Sequence, residues 1–132
     1  TMKQANHGTL VGISSVAGVR GLPGAGAYSS SKAAVTAYCE SLRVELAGTG
    51  VKVVTIAPGF IDTPMTQINP YAMPFLMPAE KFAQEALKTI AKGQSYRVIP
   101  WQMGVVAKLL RLVPNKLYDH FAFKSGRKPR QL

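Results

Sequence analysis

The chain has 132 residues, 47% of them hydrophobic, and a formal net charge of +10 from sixteen Lys and Arg against six Asp and Glu. This length suits one compact domain, and the composition excludes disordered, collagen-like and disulfide-rich proteins. Cys39 is the single cysteine, and no apolar run reaches the roughly 18 residues that a membrane-spanning helix needs. These features indicate a reducing, cytoplasmic compartment. Because the first residue is threonine, we expect the sequence to begin inside a longer gene product.

Two short apolar runs predict strands, and the segment between them predicts a helix. The runs are TLVGIS (9–14) and VKVVTIA (51–57), which lack clean alternation and therefore fit strands buried on both faces of a parallel sheet. Between them, side chains spaced three or four residues apart form one helical stripe. The stripe contains Tyr28, Lys32, Val35, Cys39, Leu42 and Leu46. Strand, helix and strand together predict a right-handed βαβ unit.

The second half of the chain predicts a loop and further helices. Residues 60–78 contain four prolines and read as a loop with many apolar side chains, namely Met65, Ile68, Tyr71, Met73, Phe75, Leu76 and Met77. The residues at 78–93 predict a helix that ends at Gly93, and YRVI (96–99) predicts a short strand. An amphipathic helix is expected at 101–113, where Pro114 breaks it, followed by a further turn or two. The predicted fold class is α/β, with a thin parallel sheet.

Chemically useful side chains follow the two predicted strands. Ser14 and Ser15 end the first strand, and Pro58-Gly59 ends the second, so both sites lie at the carboxyl edge where open α/β sheets bind ligands. Tyr28 and Lys32 are one helical turn apart, and a cation at that distance favours a phenolate. Taken one at a time, these features are ordinary turn and helix chemistry. Their order within one βαβ unit favours a site.

The chain contains the segments GTLVGISSVAG (8–18) and AYSSSKAAVTAYCESLRVELAGTGVKVVTIAPGFIDTPM (27–65). Together they resemble the catalytic half of the short-chain dehydrogenase/reductase family, and the resemblance covers residues 1–93. This resemblance implies that residues 1–100 form the C-terminal half of a doubly wound, Rossmann-like parallel sheet, and that residues 101–132 form a basic helical extension. It implies an NAD(P)-dependent oxidoreductase that interconverts an alcohol and a carbonyl. The implied partners are a small carbonyl or alcohol substrate, and further copies of the chain in a homodimer or homotetramer.

The resemblance also assigns roles to residues. Tyr28 would be the general acid/base, Ser15 would orient the substrate oxygen, and Lys32 would hold the nicotinamide ribose and favour the phenolate. The backbone at Ile61 and the side chain of Thr63 would contact the carboxamide end of the nicotinamide. The implied cofactor-binding positions are Tyr28, Lys32, Pro58, Gly59, Ile61 and Thr63. The apolar 60–78 loop sits where the family places a substrate lid, so its side chains either contact a hydrophobic carbonyl or alcohol or merely pack the lid onto the core.

The chain departs from the family pattern because it contains no Gly-x-x-x-Gly-x-Gly or G-x-G-x-x-G motif for a pyrophosphate. We therefore expect a fragment that lacks the cofactor-binding half and is inactive alone, with the preference between NAD and NADP not encoded here. His7 and His120 have no metal-like companions, so no metal site is predicted. The alternative function is a non-catalytic binding or regulatory module.

The end of the chain is basic and amphipathic. Trp101, Val105, Leu109 and Leu112 line one side of the predicted last helix, and one acidic residue, Asp119, opposes the nearby cations. These cations are Lys108, Arg111, Lys116, Lys124, Arg127, Lys128 and Arg130. The pattern permits peripheral contact with an anionic membrane, while nothing indicates nucleic-acid binding. Since most domains bury such a stripe, we expect it to pack on the sheet or on another subunit.

Overall fold

The computed structural model of the chain describes residues 1–68 and 72–124, which form an α/β arrangement around a parallel sheet. The elements in chain order are α1 (Met2–Ala5), β1 (Gly8–Ile13), α2 (Gly26–Glu45), β2 (Val51–Pro58), β3 (Ile61–Asp62), α3 (Pro64–Gln67), β4 (Met77–Pro78), α4 (Ala79–Lys92), β5 (Tyr96–Ile99), α5 (Trp101–Leu112) and α6 (Asn115–Lys124). A 3₁₀ turn at Val16–Gly18 follows β1. The predicted fold class is confirmed.

The main sheet has β2 at its centre. Within the described residues its order is β1-β2-β5, and both pairs are parallel. Ile13 lies opposite Ile56, and Pro58 lies opposite Ile99, so the carboxyl ends of the strands share one edge. Valine and isoleucine dominate β2 because this strand is buried on both faces, as expected for the centre of a parallel sheet.

Helices cover both faces of the sheet. On one face, the fully buried side chains of Val54, Ile56 and Ile99 pack against partly buried side chains that come mostly from α4, namely Met77, Phe82, Ala86 and Ile90. On the other face, α2 approaches β1 so closely that a Cβ at Gly12 would lie 2.2 Å from Cys39 Sγ, and α5 packs on β5 beside Val98. Each large side chain buried in this way stabilises the fold by about 1.5–3 kcal/mol.

β1 forms an open edge. In the part of the chain that the structure describes, its outer side has no neighbouring strand. α4 packs on β2 and β5 but leaves Val11 and Ile13 of β1 39% and 48% exposed. A parallel strand that is normally covered on both faces therefore presents both unpaired backbone groups and apolar side chains.

The region 60–78 contains short elements that its prolines concealed in the sequence. β3 pairs with β4 in parallel, and Met77 donates its backbone N–H to the carbonyl of Phe60 at 2.9 Å. α3 begins at Pro64, which is suited to a first helical position. The Thr66 hydroxyl donates to the Ile61 carbonyl at 2.8 Å. Tyr71, one of the apolar residues predicted for this loop, lies outside the described residues.

The C-terminal helices differ from the prediction in length and in orientation. α6 runs for ten residues, more than the expected turn or two, and Pro114 separates it from α5. The expectation that the stripe containing Trp101 packs on this chain's sheet is wrong. Met103 and Ala107 are buried instead, and on the same side of α5 a Cβ at Gly104 would lie 3.3 Å from Val98 Cβ, so the glycine lets this side approach β5 closely. None of the described helices is long and apolar enough to cross a membrane.

Candidate active site

Two adjacent serines follow β1 and have different surroundings. The backbone N–H of Ser14 donates to the carbonyl of Ile56 at 2.8 Å, which continues the pairing of β1 with β2 beyond the last strand residue. The Ser14 side chain is 2% exposed, donates to the Lys32 carbonyl at 2.9 Å and bonds the Thr36 hydroxyl. Ser14 therefore joins the strand end to α2, a structural role that the sequence did not reveal.

Ser15 begins the 3₁₀ turn that leads away from the sheet. Its side-chain oxygen accepts a hydrogen bond from the backbone N–H of Ala17 at 3.1 Å, and its backbone is extended. This bond uses one lone pair of the hydroxyl and leaves its proton available to donate. Because Ser15 directly follows Ser14, the fold of the turn holds it at the carboxyl edge of β1.

α2 carries Tyr28 and Lys32 to the same edge. The Lys32 ammonium donates to the carbonyl of Ile13, the last residue of β1, at 3.3 Å. The same Nζ atom lies 5.7 Å from the centroid of the Tyr28 ring. The Tyr28 side chain is 49% exposed and so remains accessible to a ligand. The predicted spacing thus places a cation between the aromatic ring and the strand end.

The serines between Tyr28 and Lys32 use their hydroxyls in local hydrogen bonds at the beginning of α2. Ser29 is buried and its hydroxyl accepts from the backbone N–H of Leu22 at 3.3 Å, which fixes the loop before the helix. Ser30 donates to the Ala27 carbonyl at 3.0 Å and Ser31 donates to the Tyr28 carbonyl at 2.8 Å. These bonds use the local back-bonding that serine favours near helix starts.

Gly18 allows the 3₁₀ turn to touch α2. A Cβ at this position would lie 2.9 Å from both the backbone nitrogen of Ala33 and the carbonyl carbon of Lys32. Real Cβ atoms do not approach backbone atoms so closely, so a side chain here would push the turn away from the helix. The close contact keeps Ser15 near the turn of α2 that contains Lys32.

The predicted cofactor positions follow β2. The backbone N–H of Gly59 donates to the Ile99 carbonyl at 2.8 Å, so the end of β2 stays attached to β5. Ile61 lies in β3, and Thr63 precedes α3, where its backbone N–H donates to the Thr66 hydroxyl at 2.8 Å. The shared strand edge therefore brings Pro58 and Gly59 to the level of Ser14, with Ile61 and Thr63 continuing outward.

A cavity of about 400 Å³ lies at the carboxyl end of β5. Its walls include Phe75 and Leu76 from the predicted lid, Lys81 from α4, and Trp101 and Gln102 from the start of α5. None of Ser15, Tyr28 and Lys32 lines it. The cavity is thus separate from the predicted catalytic residues, although both involve carboxyl ends of strands in the main sheet.

Arg20 is a further residue that the sequence did not single out. Its guanidinium donates to the carbonyls of Leu110 and Val113 at the end of α5, and to Asn115 Oδ1 at 2.9 Å. It also lies over the ring of Tyr118. The sequence contains no local signal for this contact. Arg20 lies in the glycine-rich loop at residues 18–26, and Tyr118 lies about one hundred residues later in the chain.

Glu85 of α4 and Arg97 of β5 form an ion pair that lowers the pKa of the Glu85 carboxyl. Arg97 donates to Glu85 Oε2 at 2.8 Å and to the Thr89 hydroxyl at 2.9 Å, and Lys88 lies 3.3 Å from Glu85 Oε1. The hydrogen bond from Arg97, followed by that from Lys88, lowers the pKa of the Glu85 carboxyl below its usual 4.5. The pair fixes α4 against β5.

Comparison with known proteins identifies the family. The sequence profile of the short chain dehydrogenases matches residues 1–72. The chain is 44% identical to an oxidoreductase of Myxococcus xanthus over 89% of this chain and 47% of that protein. It is 41% identical to a 3-oxoacyl-(acyl-carrier-protein) reductase of Thermotoga maritima over 70% of this chain and 34% of that protein. It thus spans at most about half the length of these two curated relatives.

A solved structure agrees with these relatives. A short chain dehydrogenase from Burkholderia cenocepacia, in complex with NADP, superimposes with a TM-score of 0.74 at 25% identity, over 90% of this chain and 48% of that one. The parallel sheet and its covering helices are thus similar to those of the Burkholderia enzyme. The chain belongs to the short-chain dehydrogenase family.

Proposed function

We propose that this chain is the acid–base half of an NAD(P)-dependent oxidoreductase that interconverts an alcohol and a carbonyl. The observation that carries the proposal is the position of the Lys32 ammonium, between the Ile13 carbonyl at 3.3 Å and the Tyr28 ring, whose centroid is 5.7 Å away. A cation held at a strand end beside an exposed phenol is suited to proton transfer. The proposal is also supported by the family, whose members include oxidoreductases.

Tyr28 moves the proton in this proposal. In the reducing direction, its hydroxyl donates a proton to the substrate oxygen while the carbonyl carbon accepts a hydride, and the C=O double bond becomes a C–O single bond. The phenolate that remains is stabilised by the nearby positive charge of Lys32. In the oxidising direction, the phenolate takes the hydroxyl proton of the alcohol. A tyrosine is needed because phenylalanine has no proton to give.

Ser15 orients the substrate oxygen. Its hydroxyl accepts from Ala17 and so points its own proton away from that bond. A donor placed at the oxygen where negative charge develops lowers the barrier for the step. Ser14 is excluded from this role because its hydroxyl is engaged with Lys32 and Thr36.

The residues of the chain fit one end of a nicotinamide cofactor. Lys32 and Tyr28 would hold the ribose, and Pro58, Gly59, Ile61 and Thr63 would hold the carboxamide end. When bound, the reduced cofactor would supply the hydride for carbonyl reduction, and the oxidised cofactor would accept the hydride in alcohol oxidation. The glycine fingerprints that open a helix beneath a pyrophosphate, Gly-x-x-x-Gly-x-Gly and G-x-G-x-x-G, do not occur in the sequence. The proposal therefore includes a second, cofactor-binding half, and the chain alone should neither bind a dinucleotide tightly nor catalyse the reaction.

The proposed substrate is a hydrophobic carbonyl or alcohol. Among the described residues that follow β3, Met65, Ile68 and Phe75 expose 80%, 73% and 51% of their surface. Exposed apolar side chains on a segment next to the cofactor positions favour an apolar ligand over a sugar. A preference for sugars in the full-length enzyme would contradict this part of the proposal.

The test requires the full-length protein, in which these residues are joined to a cofactor-binding half encoded upstream. We expect NAD(P)H-dependent reduction of a long-chain or aromatic ketone, and a fall in kcat of about 10²–10⁴-fold in Tyr28→Phe. Tyr38→Phe is the matched control, because Tyr38 lies on the same helix and is 67% exposed. Full activity in Tyr28→Phe, with the same melting temperature as the parent, would refute the assignment.

The same full-length protein also tests the alternative function, a non-catalytic binding module. It would bind a partner or cofactor with unchanged affinity in Tyr28→Phe and show no turnover of any carbonyl in the parent. Isothermal titration calorimetry of the 132-residue chain with NADPH adds an independent check. Submicromolar binding by this chain alone would contradict the need for a second half.

A further inference from the structure

The outward side of α5 is an unusual combination of apolar and basic side chains. Trp101, Val105, Leu109 and Leu112 are 68%, 50%, 60% and 79% exposed, although the opposite side of the same helix is buried. At about 100° per residue, these four side chains fall on one stripe along the whole helix. We call them the α5 stripe. It is separate from the positions proposed for catalysis.

Positive charge surrounds the α5 stripe. Lys108 and Arg111 are exposed on the same helix, and Lys116 and Lys124 are exposed on α6, which begins three residues after α5 ends. Asp119 is the single acidic side chain from 101 to 124. The formal net charge of the whole chain, +10, is positive like the charge around the α5 stripe. A partner that covers this surface must therefore offer apolar contact together with negative charge.

We propose that the α5 stripe lies in the surface of an anionic lipid bilayer, as a peripheral contact. An amphipathic helix with tryptophan and leucine on one side and lysine and arginine beside them is suited to the boundary between headgroups and acyl chains. α5 is about 18 Å long, so it lies in this plane and does not span the membrane. The contact would bring an enzyme for hydrophobic substrates to the phase that dissolves them.

Two other partners fit the surface less well. A symmetric dimer formed through the α5 stripe would bring Lys108 and Arg111 of one copy toward the same residues of the next, and like charges facing each other disfavour association. The second candidate is a strand that pairs with the open edge of β1. That edge is at the opposite side of the sheet from β5, on which α5 packs, so such a strand would not cover the α5 stripe. The charge pattern favours lipid.

Trp101 gives a direct measurement, because it is the only tryptophan in the sequence. The 132-residue chain is mixed with vesicles of equal parts phosphatidylcholine and phosphatidylglycerol, and with vesicles of phosphatidylcholine alone. We expect co-sedimentation and a blue shift of tryptophan emission with the anionic vesicles at low salt. Raising the salt shortens the Debye length from about 30 Å to about 3 Å and should release the chain.

Variants distinguish binding through the α5 stripe from non-specific binding through other exposed apolar side chains. Each of Lys108→Gln and Lys116→Gln should lower the partition coefficient about fivefold, and Leu109→Ser should lower it by about tenfold or more. Leu87→Ser on α4 and Val11→Ser on β1 are the matched controls, because both positions expose apolar side chains elsewhere. They should change the partition coefficient less than twofold.

The results that overturn the proposal are equally specific. They are no binding to anionic vesicles at low salt, equal binding to both kinds of vesicle, or equal loss in Leu87→Ser and Leu109→Ser. A concentration-dependent dimer that Leu109→Ser dissociates, without any vesicle binding, would assign the stripe to a second copy instead. None of these measurements depends on enzymatic turnover, so they are independent of the proposed oxidoreductase activity.

Discussion

The guanidinium of Arg20 lies over the ring of Tyr118, with 4.0 Å between its central carbon and the ring centroid. The Tyr118 hydroxyl donates to the carbonyl of Gly21, the residue after Arg20. The two side chains thus join the glycine-rich loop before α2 to the last two helices. The catalytic positions proposed on α2 and the membrane contact proposed on α5 share this connection.

Replacing Arg20 should weaken the connection. Arg20→Met removes hydrogen bonds from a charged group to the carbonyls of Leu110 and Val113, and we expect the free energy of unfolding to fall by about 2–4 kcal/mol. Urea denaturation measures this loss. Arg43→Met, an exposed arginine in the last turn of α2, is the control and should change stability by less than about 1 kcal/mol. Equal effects of the two variants would refute the role of Arg20.

The two serines after β1 should separate stability from activity. Ser14→Ala leaves the side chain of Thr36 without one partner, so we expect a loss of about 1–3 kcal/mol in stability with kcat nearly unchanged in the full-length protein. Ser15→Ala should lower kcat about 10²–10³-fold, because the donor to the substrate oxygen is lost. Thermal unfolding and steady-state kinetics of both variants check this. The reverse result, with activity lost in Ser14→Ala alone, would contradict the assignment.

Gly18 and Gly21 lie in the same loop but differ in the space around them. Gly18→Ala should destabilise the protein by about 1–3 kcal/mol, because the added Cβ meets the backbone of Lys32 and Ala33 at 2.9 Å. A Cβ at Gly21 has nothing within 4 Å, so Gly21→Ala should be within about 0.5 kcal/mol of the parent. Denaturant midpoints decide between these outcomes. If Gly18→Ala were also neutral, the turn would not depend on this contact.

The Glu85 carboxylate should make stability depend on acid pH. Its pKa is lowered in the folded state, chiefly by the hydrogen bond from Arg97, so the unfolded chain binds this proton more readily. The stabilisation is therefore complete above the unfolded value of 4.5 and is lost as pH falls through the lower, folded value. Denaturation between neutral pH and pH of about 3 should show a shallower acid loss in Glu85→Gln. Glu40→Gln, an exposed control on α2, should retain the parent slope.

Local patterns in the sequence were sufficient for the sheet and for most helices. The apolar runs at β1 and β2, the stripe of α2 and the terminal Gly93 of α4 each predict an element that the structure contains. The expected burial of β1 on both faces is wrong, because this strand lies at the open edge of the sheet and exposes Val11 and Ile13. Periodicity could not say which side of α5 is buried, since both sides carry apolar residues. Gly104 would have been the better signal, because a Cβ at this position would lie only 3.3 Å from Val98 Cβ of β5.

The site was predictable only in part. Ser15, Tyr28 and Lys32 were chosen from spacing and from family resemblance, and their roles stay predictions. Only the family resemblance selects Ser15 over Ser14, since two adjacent serines look alike in the sequence until the direction of each side chain is known. The contact of Arg20 with Tyr118 joins residues from opposite ends of the chain, and only the tertiary fold brings them together.

The open edge of β1 has a consequence for protein engineering. Because β1 pairs with β2 and β2 pairs with β5, the contacts that unite this sheet form without any residue before Gly8. If the proposed cofactor-binding half is joined upstream, a backbone cut just before β1 would leave this three-stranded sheet intact and let the two polypeptides reassociate at a defined edge. Fusing each polypeptide to one of two interacting proteins would then couple their encounter to the proposed activity, so this boundary is a rational place to split the protein as a reporter.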